Sequence, residues 1–386
     1  LVKGNAGSSM NKVAHMLKLK HHRTQINVNL SALRKNIHTL KDLLPEQTKS
    51  LVMVKANAYG TGMKRTAIFI EELGIDYLGV AYTDEGVQLR NYGVKCPILV
   101  MSPGANDFHD CIEYDLEPAI FSLKLLDDLV GTLILKKRIG FPIHLKIDSG
   151  MNRLGIKPAD IPSFIDILHS QPELHLKGVY SHFAESDNQL DTSFTGHQLD
   201  VFLDACSILS KHISYLFIKH ISNSAAIITQ PKAALDMVRM GLIVYGVAKN
   251  LSTKKALEPV IEWRSEITQI KHLSKGDTVG YNREFLAKKE TTIAIVPVGY
   301  ADGFRRSLGN GKGTVFIGGK SCKTVGNVCM DMVMIDITGL KLQEGDSVEI
   351  IGQHQSIIDF SAKLNTIPYE VLTSLSLRVH RNYVLT

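Results

Sequence analysis

The sequence predicts an α/β fold: a (β/α)8 barrel of the TIM type followed by a mostly β C-terminal domain. Three observations predict it. From Leu51 to about Gly246, short apolar runs alternate with amphipathic stretches, which implies a parallel sheet. Eight such units fall within roughly 200 residues, the scale of a closed barrel. After about Asn250 the pattern changes to short β-rich runs separated by turn pairs. An open doubly wound sheet is the alternative, but no G-x-G-x-x-G opens its first turn.

Residues 24–30 alternate as a strand that could join either domain, and Ser31 is the expected N-cap of the helix that follows. Barrel strands are expected near 51–55, 77–81, 97–101, 117–121, 143–149, 175–181, 217–222 and 237–243. Helical patterns lie between them, for example 63–73, 123–137 and 194–210. The β domain is read at 259–271, 291–299, 313–317, 332–337 and 347–351, and a short helix after Pro368, near 369–378, closes it. The expected divisions are an extension at 1–22, the barrel at 23–250 and the β domain at 251–386.

Composition narrows the function classes. Of 386 residues, 44% are hydrophobic and 21% charged, ordinary for a globular protein. No apolar stretch reaches the ~18 residues of a membrane span. No secretory signal pattern is read at the N-terminus. The five cysteines are scattered and form no C-x-x-C pair, which indicates neither zinc nor a disulfide framework. A reducing cytoplasm is the expected location. The net charge of +6 comes from residues 1–41, which hold eight Lys and Arg and no acid. The rest carries 36 basic and 38 acidic residues, so the body is no polyanion binder. The basic stretch from Lys18 to Arg23 reads as a solvated linker, because no aromatics interleave it. Neither nucleic acid nor membrane is an expected partner, and no metal site is read.

The chemistry starts from Lys55, which ends the apolar run Leu51-Val52-Met53-Val54. Burial there disfavours the ammonium and frees the amine as a nucleophile, the state of Schiff-base lysines. Taken alone, Lys55 reads as a strand-end lysine snorkelling to water. Its company argues otherwise. Barrel active sites lie at the C-terminal ends of the strands. Lys146, Asp148, Arg153, His182, Asn223, Ser224, Arg239 and Gly241 all fall there. The loops after strands seven and eight offer hydroxyl and N–H donors suited to a phosphate.

The motifs then resemble a known family. Val54-Lys55-Ala56-Asn57-Ala58-Tyr59-Gly60 is similar to the pyridoxal-phosphate lysine motif of alanine racemases. The similarity continues through the segments 144–155, 181–184, 223–225 and 238–241, and into 280–281, 298–303, 329–331 and 368–371. It implies a barrel-plus-β dimer, arranged head to tail, that uses pyridoxal 5'-phosphate to interconvert L- and D-alanine for peptidoglycan. Lys55 and Tyr281 would be the two opposed bases, with Tyr281 supplied by the partner subunit. Tyr59, Ser224, Gly241 and Tyr369 would bind the phosphate. Asn223, Leu242, His182 and Arg239 would complete the cofactor site, with Arg239 against the pyridine nitrogen. Arg153, Met330 and Asp331 would meet the substrate, Lys146 would be carbamylated, and Tyr300 would support the site. Two positions depart from the family pattern: Thr61, commonly His, and Asn327, commonly Arg.

Residues 1–17 resemble the C-terminal tail of a Mur ligase that adds D-alanyl-D-alanine, in Leu1-Val2-Lys3-Gly4 and Met10-Asn11-Lys12-Val13. The chain is therefore expected to be the racemase part of a ligase–racemase fusion. Competing readings are a broad-specificity or serine racemase, a related decarboxylase, and a pyridoxal-phosphate-binding homeostasis protein. Decarboxylases of this fold set a carboxylate where Arg239 stands, and the homeostasis proteins lack the β domain.

Overall fold

A computed structural model of the chain describes residues 23–188, 190–248 and 257–385. The ligase-like extension at 1–22 and the expected border at 250/251 lie outside the described residues. Within them the chain forms two compact units. One takes 27–262, 356–375 and 383–385; the other takes 23–26, 263–355 and 376–382. The segment 356–375, read in the sequence as part of the β domain, thus groups with the barrel residues. Strand β1 (Gln25–Asn29) opens the described chain and contains the first passage between the units.

The first unit contains eight parallel strands. They are β2 (Lys49–Met53), β3 (Tyr77–Val80), β4 (Ile98–Val100), β5 (Glu117–Ile120), β6 (Phe141–Lys146), β7 (Leu174–Tyr180), β8 (Ile218–His220) and β9 (Met237–Met240). Each falls inside or overlaps its expected position. The order β8-β7-β6-β5-β4-β3-β2-β9 is that of a barrel whose seam lies between β8 and β9. There the Asp236 N–H donates to the Lys219 carbonyl at 3.1 Å and the Arg239 N–H to the Ser222 carbonyl at 3.0 Å. Helices Met63–Glu72, Leu123–Lys136 and Ser193–His212 confirm the amphipathic stretches. Their apolar faces, such as Leu126, Leu129 and Leu133, are fully buried.

The later strands are β10 (Ile261–Glu266), β11 (Gln269–Leu273), β12 (Thr278–Val279), β13 (Phe285–Leu286), β14 (Thr291–Val296), β15 (Thr314–Ile317), β16 (Lys320–Val325), β17 (Val333–Asp336), β18 (Ser347–Ile351) and β19 (His380–Val384). β12 and β13 pair with each other alone. The others join β1 in a nine-stranded sheet ordered β11-β14-β17-β16-β15-β18-β10-β1-β19. The chain also passes between the units within β10 and β19.

Four local expectations need correction. Asn29, not Ser31, caps the first helix, its Oδ1 accepting from the Ala32 N–H at 2.9 Å. The run 259–271 is two strands, because the chain breaks between Glu266 and Gln269. β12, β13, β16 and β19 are additional to the expected strands: the first two are only two residues long, and polar residues interrupt the apolar pattern of the others. The closing helix is Pro368–Thr373, shorter than 369–378, and a capped helix Ile357–Lys363 precedes it.

Candidate active site

Lys55 does not lie in the strand. β2 stops at Met53, and Lys55 opens a short left-handed turn, Lys55–Tyr59. Ala56, Asn57, Ala58 and Tyr59 all have φ between 51° and 56°. Left-handed backbone costs L-residues about 1–2 kcal/mol each, so the surroundings must enforce it. Glu85 Oε1 accepts the Ala56 N–H at 2.6 Å. Asn57 Oδ1 accepts the Met63 N–H at 2.8 Å. Tyr383 donates its hydroxyl to the Thr61 carbonyl at 2.9 Å. Gly60, at φ 79°, ends the turn against the Leu372 carbonyl, where a Cβ would collide.

The turn leaves Lys55 half-buried. Burial, then the Arg153 guanidinium, lowers its ammonium pKa, against an opposing pull from Glu85. Lys146, at the end of β6 and 5% exposed, is depressed further, to about 8. Burial is again the main cause, followed by Arg153 and Arg239. Asp148 is not its hydrogen-bonded partner. That carboxylate bonds Lys157 Nζ at 2.7 Å and the Asn152 N–H at 2.9 Å. Asp148 thereby shapes the loop that carries Arg153, which is exposed.

Arg239 is 3% exposed and donates in several directions. Nη2 reaches the carbonyls of Ser181 at 2.6 Å and Ile221 at 3.0 Å, and His182 Nδ1 at 3.2 Å. Nη1 reaches His220 Nδ1 at 3.0 Å. Burial lowers the guanidinium to about 10, still protonated at neutral pH. A guanidinium has no acceptor, so His182 Nδ1 must be the acceptor. Burial, then the charges of Arg239 and Arg153, hold His182 well below its ordinary pKa. Its ring is therefore neutral, with the proton on Nε2.

A third cluster joins the loops after β8 and β9. The Gly241 N–H donates to Ser224 Oγ at 2.9 Å. A Cβ on Gly241 would lie 3.0 Å from Tyr59 Oη and 3.2 Å from Ser224 Oγ, so only glycine leaves this cradle open. The Tyr59 and Tyr369 rings lie 6.1 Å apart, and burial first raises both phenols above their usual pKa. Both stay protonated and can donate. Hydroxyls and backbone N–H groups around an open cradle, close to a deprotonation-prone lysine, fit a phosphate monoester bearing an aldehyde.

Residues 28–249 match the model of the alanine racemase N-terminal domain, and residues 260–383 that of its C-terminal domain. The chain belongs to the alanine racemase family. It is 35% identical over 370 residues to alanine racemase 2 of Caldanaerobacter subterraneus subsp. tengcongensis, covering 94% of this chain and 95% of that one. Its fold superposes on alanine racemase of Clostridium difficile 630 with a TM-score of 0.89 at 33% identity, covering 95% and 97%. A structure from Bartonella henselae, with covalently bound pyridoxal phosphate, gives 0.84 at 29% identity, covering 94% and 99%. The chain is a pyridoxal-phosphate-dependent isomerase of alanine.

The remaining family positions divide unevenly. Asn223 Oδ1 is already engaged, accepting from Ser186 Oγ of the loop after β7 at 2.8 Å and from the Ala225 and Ala226 N–H groups of its own loop at 3.1 Å. Leu242 is a buried apolar residue and can offer only its backbone. Tyr281, Tyr300, Met330 and Asp331 belong to the β unit. Tyr281 is 72% exposed, and Asn327 Nδ2 holds its carbonyl at 3.1 Å. Arg378 bridges Asp331 and Asp302, at 2.7 Å to each. The Tyr300 N–H donates to the Cys329 carbonyl at 3.0 Å, which ties that turn to the Met330 segment. Sequence reasoning misses Glu85, Arg378 and Tyr383, which lie far in sequence from what they hold. In the sequence Asn327 is only a departure from the family pattern, yet it grips the Tyr281 turn.

Lys146 yields a pH prediction. Its folded pKa, about 8, lies below the unfolded 10.5, so the unfolded chain binds more protons between those values. Stability from this residue is lowest below pH 8 and recovers as pH rises towards 10.5. In cofactor-free protein and carbonate-free buffer, Lys146→Met should raise the urea midpoint at pH 7. The difference from wild type should shrink by pH 10. An equal difference at both values would exclude a buried ammonium.

Proposed function

We propose that the protein interconverts L- and D-alanine by a two-base mechanism, with Lys55 on the D-alanine face and Tyr281 on the L-alanine face. The observation that carries this reading is a pKa-lowered Lys55 on an enforced left-handed turn, beside the Tyr59–Ser224–Gly241 cradle. When bound, pyridoxal phosphate supplies an aldehyde for the Lys55 amine and an electron-accepting ring that acidifies the alanine Cα–H. Tyr59, Tyr369, Ser224 and the Gly241 N–H hold the phosphate, with Asn223 and Leu242 lining the loops beside it. Arg239 would hold the ring nitrogen. As a permanent donor it would leave that nitrogen unprotonated, which would moderate electron withdrawal and favour return of the proton over side reactions.

A proton removed from one face must return to the other, so a second base is needed. Tyr281 is exposed and belongs to the β unit, which supports a role in the site of a partner subunit in a homodimer. A free phenol, with a pKa near ~10, is a weak base at neutral pH. His182, neutral and carrying its proton on Nε2, can donate to the phenolate and stabilise it. Arg153 meets the substrate carboxylate, and Met330, Asp331 and Tyr300 come from the partner's β unit.

Lys146 is proposed to be a carbamate. An amine near 8 has a substantial neutral fraction to add carbon dioxide, and the product anion would turn repulsion from Arg153 into attraction. The buried Tyr180 hydroxyl, on the residue paired with Lys146 across β6 and β7, has no hydrogen-bond partner among the described residues and would serve it. Labelled bicarbonate should give a carbamate carbon signal that Lys146→Ala abolishes.

D-alanine supply for peptidoglycan supports a cytoplasmic location. Among the described residues no helix is long and apolar enough to cross a membrane. The match of residues 1–17 to a Mur ligase tail supports a covalent fusion of ligase and racemase. A parent reading frame that starts at a methionine near residue 10 would refute the fusion.

D-alanine should form from L-alanine, followed by circular dichroism, and depend on added pyridoxal phosphate. Serine turned over faster than alanine would favour the broader racemase, and released carbon dioxide the decarboxylase. Tyr281→Phe should slow deuterium wash-in from L-alanine by about 100-fold, and less from D-alanine. Equal losses from both enantiomers would end the two-base assignment.

A further inference from the structure

The barrel interior contains a line of polar side chains that the reaction as described does not use. Glu117 on β5 accepts from His144 Nε2 on β6 at 2.7 Å. His144 Nδ1 lies 3.3 Å from His220 Nε2 on β8. His220 Nδ1 lies 3.0 Å from Arg239 Nη1 on β9. His144 and His220 are fully buried, and Glu117 is 8% exposed. β7 lies between β6 and β8, and the two imidazoles meet past it because Gly178 stands there. A Cβ on Gly178 would strike the His144 ring.

The direction of this line is fixed by chemistry. Arg239 can only donate, so His220 Nδ1 accepts. A neutral His220 then carries its proton on Nε2 and donates to His144 Nδ1. His144 carries its proton on Nε2 and donates to Glu117. Two imidazoles can equally run the other way, each with its proton on Nδ1. That arrangement would aim the His220 Nδ1–H at an Arg239 N–H, two donors face to face in a dry interior, which is costly. The Glu117 end of the line must agree with that direction. Its carboxylate oxygens offer acceptors to the His144 Nε2–H, which does agree.

We propose that Glu117 is a positioning residue for the reaction: through His144 and His220 it anchors the far end of the hydrogen-bond relay that holds Arg239. Arg239 in turn fixes the His182 tautomer at the barrel mouth. The consequence for catalysis rests on the reading of Arg239 and His182 given above. The direction of the relay does not, because it concerns the protein without cofactor.

The test joins two measurements. Long-range 15N–1H correlation spectra of histidine-labelled, cofactor-free protein should show the Nε2–H tautomer on His144 and on His220. The Nδ1–H tautomer on either ring in wild type overturns the relay. In Glu117→Gln only Arg239 still fixes the direction strongly, and a minor Nδ1–H population should appear. With pyridoxal phosphate bound, this variant should lose about tenfold in kcat, the worth of one charge-assisted hydrogen bond. KM should stay within twofold, and the visible absorption of the cofactor should shift. Gly178→Ala cuts the relay between the imidazoles without changing a titratable group, and should lower kcat to a similar degree. Both variants with kcat and absorption within twofold of wild type overturn the positioning role. Wild-type protein that fails to racemise alanine would remove the function proposed above, while the tautomer spectra still decide the relay.

Discussion

Arg239 is held by acceptors from several directions. Three are backbone carbonyls, of Ser181, His220 and Ile221, and two are imidazole nitrogens. These bonds tie β9 to the ends of β7 and β8, across the seam where no ladder pairs β8 with β9 among the described residues. The same guanidinium thus closes the barrel and orders the rings around it. A buried cation is tolerable only when its donors are satisfied. Here the satisfaction comes from backbone oxygen and neutral nitrogen rather than from a carboxylate. Positive charge therefore stays available at the barrel mouth.

That mouth gathers cations. Lys55, Lys146, Arg153 and Arg239 act on one another and on His182, and the effect is to lower both lysines. Together with burial, the arrangement opposes protonation of the Lys55 amine, as its proposed role requires. It also favours anions, which suits a phosphate, a substrate carboxylate and a carbamate alike. The left-handed turn adds a geometric condition. Four strained residues hold Lys55 at a fixed point beyond β2, and Glu85, Asn57 and Tyr383 offset the cost. A flexible loop would leave the amine free to reach water.

Much of this is legible in the order of residues along the chain. The eight barrel strands stand out because strands buried on both faces are continuous apolar runs, and their spacing survives irregular loops. Lys55, Lys146, His182 and Arg239 are conspicuous as polar residues at the ends of those runs. The errors have physical causes. Ser31 looks like a cap because hydroxyls commonly cap, but Asn29 occupies the turn that reaches the Ala32 N–H. β16, Lys-Ser-Cys-Lys-Thr-Val, has exposed polar residues that hide its alternation. The segment 356–375 sits late in the chain yet groups with the barrel residues, which no linear reading reveals.

By itself, then, the sequence determined the class of fold, the order of its elements and the family, because apolar periodicity and short motifs are local properties. It also put Lys55, Lys146, His182 and Arg239 at or near the C-terminal ends of barrel strands. It could not show that Lys55 leaves its strand through a left-handed turn, since Ala-Asn-Ala-Tyr carries no strong preference for one. Nor could it join Glu117, His144, His220 and Arg239, which lie on four strands and meet only inside the barrel. Tautomers and depressed pKa values arise from burial and from neighbours distant in sequence. Only the tertiary structure decides which groups share a dry interior, and there a hydrogen bond's direction acquires an energy.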